Sequence, residues 1–271
     1  MNGFDRDWQG GKKEHSVHSA PPVKDSVIDP AAFVDRFATA ATARGFRVER
    51  FGESAGVPLL ALSRRTRGVR PRIYFSAGIH GDEPAPPLAL LSALEHGLFD
   101  ERATWFLCPL LNPAGFLART RENAEGLDLN RDFKALRSAE IRAHVRWLQH
   151  QPNFDFSLCL HEDWEAAGFY VYELNAAGAP SFARPMIEAV TEICPMETAT
   201  VIDGRDVAEP GIVRPLADPL LRETWPESIY LQANHSRLSY TIETPSSLPL
   251  TQRIAALERA IATAISQVCG V

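Results

Sequence analysis

The chain carries no excess of positive charge: 28 Lys and Arg stand against 34 Asp and Glu, for a formal charge of −6. Phosphate backbones demand a basic surface, so this balance argues against a general nucleic-acid partner. No uninterrupted apolar run approaches the roughly 18 residues that cross a bilayer. The first 25 residues are polar, unlike a secretory signal. A cytoplasmic location without a membrane partner is therefore the expectation. Cysteine is scarce, with Cys108, Cys159, Cys194 and Cys269 forming no CxxC pair. Cys108 and Cys159 sit inside apolar, strand-like runs, where a reduced core thiol is the expected state. Internal repeats are also missing.

What is present is ordinary for a soluble globular protein, with 45% hydrophobic and 23% charged residues in 271. That length can bury a substantial core in one large domain or two small ones. Met1–Lys24 is rich in Gly, Lys, Asp and His without a period, and is expected to be a mobile arm; residues 25–271 then form a single domain. Asp29-Pro30 predicts a helix start, and Gly45 its stop. Phe46–Phe51 and Val57–Ser63 read as strands. The five residues between them, Gly52 to Gly56, match GxSxG, the nucleophile elbow of serine hydrolases. That elbow must open a helix, whereas Val-Pro-Leu-Leu-Ala-Leu-Ser follows here, so a hairpin turn fits better than a nucleophile at Ser54.

Further along, Arg72–Ala77, Thr104–Leu110, Phe154–Leu160, Phe169–Leu174, Ile229–Ala233 and Leu238–Ile242 read as strands. Pro84–His96, Ser138–His150, Ser181–Ile193 and Thr251–Val268 read as helices. Between residues 112 and 133 lies a polar stretch long enough to be functional if it is a loop. Residues 195–228 are proline-rich and acidic, and are expected to form loops over one face. The alternation of strands and helices implies an α/β layer fold with a mixed, mostly parallel central sheet flanked by helices. In such sheets sites form beyond the carboxyl ends of strands. His80, His161 and Glu243 all stand near such ends.

Catalytic zinc typically takes three protein ligands and keeps one position open. His80, Glu83 and His161 make a His₂Glu set of that kind, for one zinc ion. Hydrolysis would also need a general base and a cation facing the developing oxyanion. Glu243, at the end of SYTIE, suits the first task, and Arg121 the second. The adjacent Asn130 and Arg131 could bind a carboxylate, since a guanidinium grips one bidentately. Together these parts suggest hydrolysis of an amide next to a free carboxylate.

HxxE at His80, NPxGF at Asn112, RxN at Arg121, GxDLNR at Gly126, a strand-ending His161 and IET around Glu243 resemble the zinc metallocarboxypeptidase family. That family includes carboxypeptidases, murein-peptide amidases and the aspartoacylase and succinylglutamate-desuccinylase deacylases. The resemblance spans residues 72–245. It implies an eight-stranded mixed sheet between helices, with zinc on His80, Glu83 and His161. It further implies Glu243 as base, Arg121 as oxyanion partner, and Asn130 and Arg131 as holders of the substrate's terminal carboxylate. The substrate would be a small peptide or an N-acyl amino acid.

A substrate-contacting tyrosine expected upstream of the base has two possible counterparts, Tyr230 and Tyr240. The acids Glu162, Asp163 and Glu165 around His161 could favour a cationic substrate group or stand as solvated or hydrogen-bonding partners. Asp128 is expected to brace its loop. His15 and His18, in the polar arm, are lesser candidates for touching a metal, and His96, His144 and His150 read as surface or helix-end groups. His235 is a lesser candidate for a substrate contact, and Trp164 and Phe169 could line a pocket. Two other classes remain: a serine esterase built on Ser54, and a binding protein that keeps the pocket without turnover.

Overall fold

The computed structural model describes residues 28–215 and 218–270. The expected N-terminal arm, with His15 and His18, lies outside them. Helix α1 (Pro30–Ala43) starts as its sequence demands, with the Asp29 carboxylate accepting from the Ala31 and Ala32 amides. Strands β1 (Arg47–Ser54) and β2 (Val57–Arg64) form an antiparallel hairpin. Its turn places Ala55 and Gly56 both at positive φ, 51° and 79°, the geometry of a tight hairpin rather than an elbow.

Next come β3 (Arg72–Ser76), α2 (Ala85–Glu95), β4 (Thr104–Cys108), α3 (Pro113–Ala118) and α4 (Ala139–Leu148). They are followed by β5 (Phe156–Asp163), β6 (Tyr170–Asn175) and α5 (Ala183–Val190). Three two-residue strands, β7 (Val201–Ile202), β8 (Arg205–Asp206) and β9 (Ile212–Val213), precede α6 (Glu227–Asn234). The described chain closes with β10 (Leu238–Pro245) and α7 (Leu250–Cys269).

Eight strands form one sheet in the order β1-β2-β4-β3-β5-β10-β6-β9, while β7 and β8 pair separately. The central strands β4, β3, β5 and β10 run parallel to one another, and β1, β2 and β6 add antiparallel partners. The mixed, mostly parallel sheet expected from the alternation is thus present. None of the helices among the described residues is long and apolar enough to cross a membrane.

Period-two alternation decides which side of the sheet can hold chemistry. Ile73 and Phe75, Leu158 and Leu160, and Tyr240 and Ile242 point into one core, where they meet α1, α2, α5 and α7. The intervening positions point the other way and are more polar: Tyr74 and Ser76, Cys159 and His161, Thr241 and Glu243. That second face is covered partly by α4 and α6, whose Ile141, Val145, Tyr230 and Leu231 pack with Tyr74 and Cys159. Toward the carboxyl ends of β3, β5 and β10 the cover stops and a cavity opens.

Two expectations are corrected here. Ile229–Ala233 is helical, inside α6, and not a strand. Its Pro226 cap position carries no local side-chain hydrogen bond. The Glu227 amide instead donates to the Asn130 side-chain Oδ1 at 2.9 Å, from 97 residues away. His144 is fully buried on α4, not at the surface. The polar stretch 112–133 is partly ordered into α3 and a 3₁₀ turn at Leu129–Arg131.

Candidate active site

The loop that follows β3 must bring His80 over the sheet edge, and two glycines permit it. A methyl group on Gly81 would overlap the Gly115 carbonyl, so the HGDE loop and α3 pack backbone to backbone. Asn112 joins the two. Its Oδ1 accepts from the Gly115 amide at 2.9 Å, and its Nδ2 donates to the Ile79 and Arg121 carbonyls, both at 3.2 Å. This is the physical content of NPxGF. Asn123 of RxN does similar work, accepting from the Glu125 and Leu127 amides at 3.0 Å each.

His80, Glu83 and His161 converge, their potential ligand atoms all within 4.8 Å of one another and all three residues buried. His80 Nδ1 lies 2.5 Å from Glu83 Oε1, and His161 Nδ1 lies 3.0 Å from Glu83 Oε2. Each imidazole thus presents Nδ1 to the same carboxylate, while its Nε2 faces a separate partner. His80 Nε2 is 3.3 Å from Asp128 Oδ1, and His161 Nε2 is 3.5 Å from Asn130 Nδ2. Burial disfavours a charged His80, but the Glu83 charge and the bonds to Asp128 and Glu83 outweigh it and raise its pKa to about 9. Burial likewise works against an ionised Glu83, yet His80 and His161 hold it well below the carboxylate range. A carboxylate gripping two imidazoles inside the protein is a locus that favours added positive charge. Two nitrogens and a carboxylate form a donor set that fits zinc.

Glu243 is half-buried beside them. In the parallel register of β5 and β10 it pairs with His161, and in the antiparallel register of β10 and β6 with Tyr170. Directly paired residues share a face, so the carboxyl group stands alongside the ligand cluster. Burial pushes its pKa well above the ordinary value; His161 opposes this, and Glu83, Asp163 and Asp203 add to it. Arg121 approaches from the far side. Its Nε donates to Asp128 Oδ2 at 3.0 Å, and its NH1 is 3.2 Å from His80 Nδ1 and 3.7 Å from Glu83 Oε1. Arg119, two residues earlier, is an exposed residue in the left-handed conformation at the end of α3.

These groups line a cavity of about 550 Å³, a volume typical of small-molecule sites. Its lining includes Asn130 and Arg131 beside the ligand set, and Tyr170, Tyr172, Arg205 and Arg222 farther out.

Residues 69–177 match the succinylglutamate desuccinylase/aspartoacylase catalytic domain family. A crystal structure from Shewanella amazonensis, provisionally described as a metallopeptidase, superposes with a TM-score of 0.76 at 28% identity, over 87% of this chain and 92% of that one. A metallo-carboxypeptidase of Pseudomonas aeruginosa, in complex with (2-guanidinoethylmercapto)succinic acid, gives 0.62 at 22% identity, over 87% and 68%. The family match and the shared fold support a place in the metallocarboxypeptidase-like superfamily. Carboxypeptidase SOL1 of Arabidopsis thaliana is 32% identical over 121 residues, or 36% of this chain and about a quarter (24%) of that protein's length.

Within the superfamily fold, several sequence expectations find a place and others do not. Tyr240 is fully buried, its hydroxyl donating to Glu173 at 2.8 Å and accepting from the Phe182 amide at 2.9 Å. Tyr230 is buried in the second core. Neither lines the cavity, whereas Tyr170 and Tyr172 do. Their spacing of two on a strand was the available signal. Their hydroxyls donate to Asp163 at 2.9 Å and Asp203 at 2.6 Å.

Ser54 gives its hydroxyl to the buried Glu140 at 2.7 Å, inside the hairpin and outside the cavity lining. Glu162 turns away from the ligands, accepting from the Ala85 amide at 2.5 Å and from Arg253. His235 packs between Phe154 and Tyr230, and Phe169 is core. Trp164 stands 75% exposed at the cavity lining. Arg205 and Arg222 come from the aperiodic segment after α5, where no sequence pattern marked them.

Proposed function

We propose that this chain is a zinc-dependent hydrolase cleaving a peptide or amide bond next to a free carboxylate, in the manner of a carboxypeptidase. The observation that carries the reading is the in-register pairing of Glu243 with His161, next to the converging His80 and Glu83. His80, Glu83 and His161 would hold the zinc, which when bound would polarise the scissile carbonyl and acidify a water.

The chain's own groups then divide the remaining work. Glu243 accepts the proton of the attacking water and returns it to the leaving nitrogen. The Arg121 guanidinium, steadied by Asp128, faces the charge that develops on the carbonyl oxygen. Asn130 uses Oδ1 to hold α6, leaving Nδ2 to donate to the substrate's carboxylate alongside Arg131. Cytoplasmic peptides or N-acyl amino acids are the substrates proposed.

The match of residues 69–177 to a deacylase family favours a second reading on the same site, hydrolysis of N-acyl amino acids. A panel of C-terminal peptides and N-acyl amino acids, assayed on metal-analysed protein before and after chelation, separates the two. We expect one zinc per chain and activity that chelation abolishes and zinc restores. Glu243→Gln should keep the zinc and lose about 10²- to 10⁴-fold in kcat/KM. Protein that binds no zinc, or activity that survives chelation, would sink the proposal. Activity lost in Ser54→Ala instead would revive the esterase.

A further inference from the structure

Behind the ligand cluster lies a buried ion pair that the hydrolytic reading does not use. Alternation along β5 sends the His161 side chain toward the cavity and that of Glu162 the other way, on the side of Leu158 and Leu160. There the Glu162 carboxylate accepts from the guanidinium of Arg253 on α7, the two residues being only 5% and 2% exposed. Two charges buried together lose much hydration, and apolar groups of similar volume often stabilise a fold as well. The pair therefore calls for a positional explanation.

That explanation is found at the start of α2. The helix opens at Ala85 behind Pro84, whose cap position carries no side-chain hydrogen bond. Pro86 and Pro87 have no amide hydrogen, so the Ala85 amide is one of two first-turn donors that need an acceptor. Glu162 Oε1 supplies it at 2.5 Å, two residues after the ligand Glu83. The Glu162 backbone amide meanwhile donates to Glu83 Oε2 at 3.2 Å. One residue thus grips the Glu83 segment twice while it is peptide-bonded to His161. Arg253 holds the other carboxylate oxygen, from a helix that also packs on α2 and on β10, the strand of Glu243. Arg253 lies outside residues 69–177, the span matched to the family.

We infer that Glu162, aimed by Arg253, is a positioning residue that sets the spacing of Glu83 against His161 and so couples α7 to the ligand cluster. For its consequence the inference rests on the reading of His80, Glu83 and His161 as zinc ligands. The spacing itself is measurable without an ion.

The test compares the full chain with Glu162→Gln, Arg253→Met, the double variant, and Ile261→Val, a core truncation elsewhere on α7. Zinc affinity is measured by chelator competition, and ligand geometry by the visible absorption bands of the cobalt-loaded protein. The imidazole resonances of His80 and His161 are recorded on metal-free protein at a single pH. Glu162→Gln and Arg253→Met should each weaken zinc by about 10- to 100-fold and alter the cobalt bands, as loss of a ligand's support does. Because the two groups act as a unit, the double variant should lose no more than either single one. It also leaves no uncompensated buried charge, so it gives the answer where Arg253→Met fails to fold. Ile261→Val should lower Tm and leave affinity, cobalt bands and ring resonances at their wild-type values.

Wild-type affinity and cobalt bands in the folded double variant overturn the inference. So do losses that simply add in the double variant, or an equal loss of affinity in Ile261→Val. If the wild type binds no metal, the ring resonances decide. Displaced in the double variant and unmoved in Ile261→Val, they uphold the positioning role while the zinc reading falls. Unmoved in the double variant, or displaced equally in Ile261→Val, they sink the positioning role as well.

Discussion

Asp128 shows how much one side chain can decide in this site. It accepts from the Asn130 amide at 2.8 Å and from Arg121 Nε at 3.0 Å, and its Oδ1 lies 3.3 Å from His80 Nε2. An imidazole with its Nε2 proton on a carboxylate keeps Nδ1 bare, which is the form a metal needs. Asp128→Asn retains an acceptor for the Asn130 amide but removes the charge that orients His80 and Arg121. Zinc affinity measured by chelator competition should fall by about 10- to 100-fold, the usual loss when a ligand's hydrogen-bond partner is removed. Unchanged affinity would reduce Asp128 to the loop brace its sequence context suggested. That context was a fair guide to position, since DLNR placed Asp128 in the right turn. It could not show that the carboxylate reaches His80, because a separation of 48 positions says nothing about that contact.

At the scale of elements, α4, α6 and β3 meet in a buried polar network that no local pattern announced. The Tyr74 hydroxyl has one proton and gives it to Glu227 at 2.6 Å, so at 3.0 Å it accepts from His144 Nε2–H. Ser76 donates to the other Glu227 oxygen at 2.8 Å. His144 Nδ1 is then a bare acceptor with no hydrogen-bond partner among the described residues. Burial, with a smaller contribution from His235, lowers the His144 pKa to about 3. The folded state thus holds His144 neutral, while the unfolded chain protonates near 6.5.

The stability that His144 lends is complete above pH 6.5 and drains away as pH falls from there toward 3. Glu227 is pushed up by burial and so tilts stability the opposite way, which makes a comparison necessary. In urea unfolding between pH 7 and pH 4, the wild type should lose stability faster than His144→Phe, by up to about 1.4 kcal/mol per pH unit. Parallel slopes in the two proteins would show that His144 takes up its proton without unfolding. The apolar strand-like spelling of residues 229–233 concealed α6 for a related reason. The helix is held at its start by Asn130 and Tyr74's partner Glu227, both tertiary contacts.

Across the whole molecule, what could be read in advance were the features carried by period and order. The strands β3, β5 and β10 follow from apolar runs, and the ligands fall at their carboxyl ends because parallel strands bring those ends together. The outer cavity, with Tyr170, Arg205 and Arg222, depends on how the aperiodic segment after α5 lies across the sheet, which tertiary packing alone decides.

The same architecture makes the metal a matter of global stability. His80 and Glu83 sit on the loop leaving β3, and His161 on β5, with the Glu162 amide also donating to Glu83 Oε2 at 3.2 Å. An ion shared by these residues binds the folded chain and has no preformed site in the unfolded one, so it must stabilise the fold by mass action. Free zinc at 100 times its dissociation constant should add about 2.7 kcal/mol. For a chain of this size that corresponds to a rise in Tm of roughly 5–10 °C. Scanning calorimetry with zinc and with chelator should show this difference in the wild type and lose it in Glu83→Gln. A Tm indifferent to zinc in the wild type would mean that the three buried ligands are held together by their own hydrogen bonds and not by an ion.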